Sequence, residues 1–551
     1  MSNACGIWAF ALATVCWLAA GVLGCSKIET STGGAGGNRS TIPGVLRVGS
    51  YEDLDNLNPL LSNQSFVTDV EQMVFSGLID YDDHGDAIPD VALEIPTLEN
   101  GGIAADGKTI TYHLRHGVRF SDGVALTSAD VKYTWQQIMN PKNNVPYRYP
   151  YGIVASIDTP DAYTVVVHLK QPFAAFVAYF MRNGNVGSIL PEHLLKGYSE
   201  INRIAFNTHP IGSGPFKVVS WQPGALLTLA ANPSYWRGRP KLNEIRFQII
   251  ANQNTLLTSV LGHDVDVYYD APEAQYATLS AIRGYRVTRV PNMTFEHIDF
   301  NCARYPLDDV RVRQAIAYAI DWKKLADHVY LGLDPPGMAD IPPMSWAYDP
   351  SVLPYPHDVT RARNLLRSAG WLTGADGVVR KNGEPMRLDI ATVTGVTSRA
   401  KAEQLIQQDL RAIGIGLDVH NYPASLLFAT YGSNGILARG KFYLSLYAWQ
   451  YTVPDPDNTQ TIGPNELPPA GTNYTFWVDQ ELGSWQRAAQ AHYGRSERRP
   501  YYVNIQRRIH DAVPMHTIVW RASIDIVSTD LKNFKPAPAV SDFWNSYEWE
   551  I

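Results

Sequence analysis

At 551 residues with a formal charge of −7, the chain is too long for one hydrophobic core and calls for roughly three or four domain-sized units. Apolar and charged fractions of 45% and 18% are those of a globular protein, and no basic run points to nucleic acid. Its 30 Tyr and 14 Trp supply many amphipathic aromatics, which suit carbohydrate, peptide or protein surfaces and equally fill cores.

Residues 7–24 are uncharged, apolar and rich in Ala and Gly, and they end at Val22-Leu23-Gly24-Cys25. This is the shape of a secretory leader, with small residues before the cut, although no Lys or Arg precedes it. Removal of residues 1–24 is expected, followed by a Gly- and Ser-rich tether over 25–42. A retained membrane anchor is the other reading of so short a stretch. Cys5 and Cys16 leave with the leader, and Cys25, in a segment that resembles a bacterial lipobox, would carry lipid, so Cys302 is left alone and no intrachain disulfide is expected.

Val45–Val48 reads as an opening strand and Asp69–Leu78 as a helix. DYDDHGD at 80–86 imitates a calcium loop, but its twelfth position is Val91 where a bidentate Glu is needed, so a solvated hairpin turn is expected. Between Asp106-Gly107 and Asp122-Gly123 the residues alternate, with Ile110, Tyr112 and Leu114 on one face, as in a half-buried strand. Thr127 stands three residues before Asp130, a capping-box spacing, and Val131, Trp135 and Ile138 then mark one helical face. Tyr163, Val165, Val167 and Leu169 alternate as a further strand, and Phe173–Phe180 reads as an aromatic core helix. PIGSGPF at 210–216 is glycine-rich, yet no Lys-Ser/Thr follows and a strand comes next, which excludes a phosphate loop.

In the second half, Asp308 is positioned to cap a helix lined by Val312, Ala315, Ile316, Ala319 and Ile320, with Arg311 and Arg313 on a solvated face or in local ion pairs. Arg361–Gly370 is a helix ending at a C′ glycine. Ala402, Leu405, Ile406, Leu410 and Ile413 form another, stopped by Gly414 before a strand. A last helix over Ser496–Pro514 precedes the strand Ile518–Val527. Catalytic signatures are missing: there is no G-x-S-x-G, H-E-x-x-H or C-x-x-C. His113 and His116 sit on an alternating strand broken by Gly117, a poor metal face, so no metal or cofactor is expected.

Asp106, Gly107, Leu114, Arg115, Gly117, Phe120, Asp122, Gly123, Thr127, Asp130 and Val131 fall in register with a long signature of the family 5 solute-binding proteins, receptors of peptide and nickel ABC importers. The segments 308–321, 56–60, 210–216, 232–236 and 261–267 resemble further motifs of that family. The Cys25 segment resembles a bacterial lipobox, whose cysteine carries lipid. The resemblance implies an α/β, periplasmic-binding-protein-like fold of two lobes with a hinge near Thr294–Asn301 and Val513–Trp520. By analogy, domain I comprises 43–88, 205–296 and 518–551, domain II 89–204, and domain III 297–517. It implies a monomeric, non-enzymatic, periplasmic or cell-surface lipoprotein that hands a peptide or similar solute to ABC permease subunits. An oligosaccharide or chelated metal as ligand, and a secreted enzyme or structural lipoprotein, are the alternatives. Tyr447–Asn458 resembles the family's ligand-contacting loop, so Trp449, Gln450, Tyr451 and Thr452, with Asn58 opposite, are the expected pocket. Peptide-binding members carry an Asp for the peptide's α-ammonium where this chain has Thr452. A hydroxyl cannot neutralise a buried ammonium, so the resemblance implies a solute without a free amino terminus.

Overall fold

The computed structural model describes residues 40–551 apart from 63, 147, 150, 181, 183–186, 335, 452, 453 and 538–540. The expected leader, Cys25, most of the tether and Thr452 lie outside the described residues. Among those described, no helix is long and apolar enough to cross a membrane.

The frame is a mixed ten-stranded sheet. At one end, Val45–Ser50 is flanked in parallel by Val267–Tyr268 and Glu244–Ile249, and Leu226–Ala231 and Phe216–Gln222 extend the edge. At the other end Arg387–Val393 pairs in parallel with Gly416–Tyr422 and Leu444–Gln450. The two ends are joined by the long strands Tyr285–Phe300 and Met515–Ser528, antiparallel from Tyr285 opposite Ser528 to Asp299 opposite Met515. Both strands run from one lobe into the other. Their register shifts twice, between Pro291 and Phe295 and between Glu296 and His297, where bulges loosen the ladder.

Each lobe has its own apolar cores. One core joins the helix Ser65–Val74, the first-lobe strands, and the side sheet Thr109–His113, Thr164–Leu169, Val154–Asp161. Another gathers the second lobe around the helices Val310–Ala319 and Thr397–Ala412. Side-chain burial in Thr164–Leu169 alternates as period-two geometry requires. The helix Ser128–Met139 starts where the Thr127–Asp130 spacing puts it: the Asp130 carboxylate accepts from the Thr127 N–H at 2.8 Å. Gly212 and Gly214 in PIGSGPF have a steric reason: a Cβ would come within 2.0 Å of the Val74 carbonyl oxygen at Gly212 and 2.6 Å of its carbon at Gly214.

Some local expectations change. The first helix is Ser65–Val74, not Asp69–Leu78, and the 173–180 region holds only a 3-10 turn, Ala174–Ala178. Asp309, not Asp308, caps Val310–Ala319 by accepting from the Arg311 N–H. Arg313 is on no solvated face. It is buried and donates to the carbonyls of Leu307, Ala512 and Val513, satisfying the end of the helix Arg495–Ala512. The 80–86 segment is a hairpin turn between Ile79–Tyr81 and Ala87–Pro89, but Asp80 is fully buried and ion-paired with Arg182.

Candidate functional site

The site lies where the second-lobe part of the sheet meets the first lobe. Leu444–Gln450 pairs with Tyr285–Phe300, Trp449 opposite Phe295 and Gln450 opposite Thr294, so the chain leaves the sheet at Tyr451 beside the inter-lobe strands. Tyr451 donates its N–H to the Met293 carbonyl at 3.2 Å, and its ring stacks on Phe295 with centroids 5.7 Å apart. Trp449 is half-buried between two apolar clusters. Gln450 is exposed, and its Oε1 accepts from Ser65 Oγ at 2.9 Å, a bond from the first turn of a first-lobe helix.

Other bonds cross between the lobes nearby. Tyr149 donates to Asp457 at 3.3 Å, Tyr493 donates to the Gly107 carbonyl at 2.8 Å, and Arg495 stands 3.8 Å from Asp86. Within the loop, Asp455-Pro456-Asp457-Asn458 (D-P-D-N) is held by side-chain bonds. Asp455 forms a buried bidentate pair with Arg498 at 2.6 and 2.7 Å, while accepting the Asp457 N–H at 3.1 Å. Asp457 also accepts from Thr459 and Gln490, and its burial pushes its carboxyl above the ordinary range. Asn458 donates to Asp340.

Beside this loop is a cavity of about 150 Å³ bordered by His84 and Asp86 from the first lobe, Met293 on a long strand, and Asp340, Trp346 and Tyr451 from the second. Asp340 is only 1% exposed. Its carboxylate accepts from Tyr451 Oη at 2.8 Å and Asn458 Nδ2 at 2.9 Å. Burial raises its pKa, opposed by those two donors.

The structure therefore brings Trp449, Gln450 and Tyr451 together at the junction of the lobes. Thr452 is outside the described residues. Asn58 is fully buried and spends its side chain internally, donating to Asn207 at 3.0 Å and accepting the Leu60 N–H at 3.1 Å. Asp340, Met293 and Trp346 were absent from the expected pocket; none sits in a motif, and only the tertiary fold assembles them. Among the described residues, no group of three or more His, Cys, Asp or Glu is arranged to hold a metal ion.

A family model described as bacterial extracellular solute-binding proteins, family 5 Middle, matches residues 88–462. The oligopeptide-binding protein AppA of Bacillus subtilis is 26% identical over 533 residues, covering 95% of this chain and 94% of that protein. Its crystal structure, in complex with a nonapeptide, superposes with a TM-score of 0.74 at 25% identity, over 92% of this chain and 98% of that one. NikZ of Campylobacter jejuni, solved with Ni(L-His), superposes with a TM-score of 0.77 over 93% of this chain and 100% of that one; at 23% identity it speaks to the fold alone.

Proposed function

Because the chain belongs to the bacterial extracellular solute-binding proteins, family 5, we propose that it captures a peptide or peptide-like solute between its two lobes and presents it to the permease of an ABC importer. In this reading Cys25 is lipidated, and the protein works from the membrane surface as a tethered monomer rather than as an enzyme. The observation that carries the reading is the Trp449–Tyr451 segment, a strand end and its exit, at the junction of the lobes, with a cavity beside it lined from both. Peptide binding by the AppA relative over nearly the whole chain supports the solute class.

The mechanism follows from the connections between lobes. Two strands, Tyr285–Phe300 and Met515–Ser528, carry the inter-lobe backbone, and their bulges near Met293 and Glu296 are places where small dihedral changes accumulate into rotation. A solute bridging Gln450 and Tyr451 to the first lobe favours the closed arrangement by its differential contacts alone. Closure gives a permease a shape that the empty receptor holds less often. The test is solution scattering with and without a saturating synthetic peptide pool. The radius of gyration should fall on saturation, and Tm should rise by linkage. An unchanged radius with demonstrated saturation would remove the closure mechanism.

A further inference from the structure

Two acids at the cavity already have counter-charges. Asp455 is held by Arg498 at 2.6 and 2.7 Å, and Asp86 faces Arg495 at 3.8 Å. Asp340 differs. Its bonds go to the neutral donors Tyr451 and Asn458, and among the described residues no Lys or Arg is paired with it. His297, whose charge would also act on Asp340, faces Asp299 at 3.4 Å. A carboxylate 1% exposed and without a Lys or Arg partner among the described residues is costly to keep charged, and a cation entering the cavity offsets that cost. The walls suit a particular kind of cation. Trp346 and Tyr451 present aromatic surface, Met293 adds a polarizable one, and a volume of about 150 Å³ is the size that accepts a benzene ring in an apolar protein cavity. A bare metal ion is not what these walls are arranged for: among the described residues no group of three or more His, Cys, Asp or Glu could hold one.

We infer that this cavity takes an organic cation, an ammonium or guanidinium group borne on an apolar body, with Asp340 as its counter-charge. The inference rests on the proposed solute-binding role and names the charge of the solute. It also reverses the expectation drawn from Thr452: the acid missing from the loop is supplied by a segment more than a hundred residues upstream. The cation has two possible sources on a peptide-like solute, the α-ammonium or a basic side chain.

Butylguanidinium and benzylammonium are titrated against the protein by tryptophan fluorescence and calorimetry, with butanol and benzyl alcohol as neutral controls. The cations should bind and the alcohols should not, and Asp340→Asn should weaken cation binding at least tenfold. The comparison of cations with alcohols needs no variant, so it stands if Asp340→Asn fails to fold. Three tripeptide pools distinguish the sources: free-amine with neutral side chains, N-acetylated with neutral side chains, and N-acetylated with one lysine. Binding by the first pool that acetylation abolishes assigns the α-ammonium, and binding by the third assigns a side chain; either supports the inference. Acetylated neutral peptides that bind as tightly as cationic ones overturn it while leaving the solute-binding role intact. Cations that bind without any peptide uphold the site and count against the peptide reading. Equal binding of alcohols and cations, no binding of either, or full affinity in Asp340→Asn overturns the inference.

Discussion

Removing Arg498 tests whether the D-P-D-N loop is held by a buried ion pair or only by its prolines. The guanidinium and the Asp455 carboxylate have side-chain exposures of 5% and 11%, and the pair is bidentate. Arg498 also donates to the Ala489 carbonyl at 3.0 Å and to Tyr502 Oη at 2.8 Å. Arg498→Met keeps most of the aliphatic volume but leaves Asp455 buried without its cation, a situation that costs about 3–5 kcal/mol. Asp455→Leu makes the complementary error on the other side. Replacing both residues by apolar ones removes both desolvation penalties, so the double variant should lose far less than the sum of the singles, with a coupling of roughly 2 kcal/mol or more. Urea unfolding followed by tryptophan fluorescence measures all three, and the second lobe's transition is the one to follow. Singles that cost less than about 0.5 kcal/mol, or a strictly additive double, would show that the loop does not depend on this pair.

Cys25→Ala should abolish lipid labelling and release the protein from the membrane, since two acyl chains anchor stably and none does; persistent labelling in the variant refutes the assignment. Asp69 gives a pH prediction. Burial, against the hydrogen bond from Tyr269, raises its pKa from 3.8 to about 7, so the folded state holds a proton that the unfolded state releases. Its stabilising contribution is complete below the unfolded pKa and is lost as pH rises through about 7, by up to about 4 kcal/mol. Asp69→Asn should therefore raise Tm at pH 8 relative to pH 5; equal shifts at both pH values refute the assignment.

Local periodicity carried most of the fold. The alternating burial of Thr164–Leu169, the Thr127–Asp130 start and the glycine stops at 370 and 414 are written within a few residues of where they act. Ala174–Ala178 shows where local reading ends. Phe176 and Phe180 pack edge-on to Tyr151 at 6.1 and 5.5 Å, and that tertiary cluster, not helical periodicity, accounts for the aromatic run. Arg313 is a second case. An arginine on a surface-looking helix reads as solvated because the carbonyl it satisfies, that of Ala512, comes from 199 residues further along the chain.

The site divides in the same way. The expected residues Trp449, Gln450 and Tyr451 reach the lobe junction because a strand and its exit are contiguous, and pairing with Tyr285–Phe300 carries that segment there. Asn58 sits in an equally recognisable segment, yet its side chain holds Asn207 and the local turn, because an Asx-type turn uses the same polar atoms that a ligand would. Asp340 lies in a proline-rich connection without periodicity. Its partners Tyr451 and Asn458 are 111 and 118 residues away. A carboxylate becomes informative only once its burial and its lack of a cation are known, and both are properties of the folded molecule. A loop motif can therefore mark a candidate site while leaving open the charge of what would bind there.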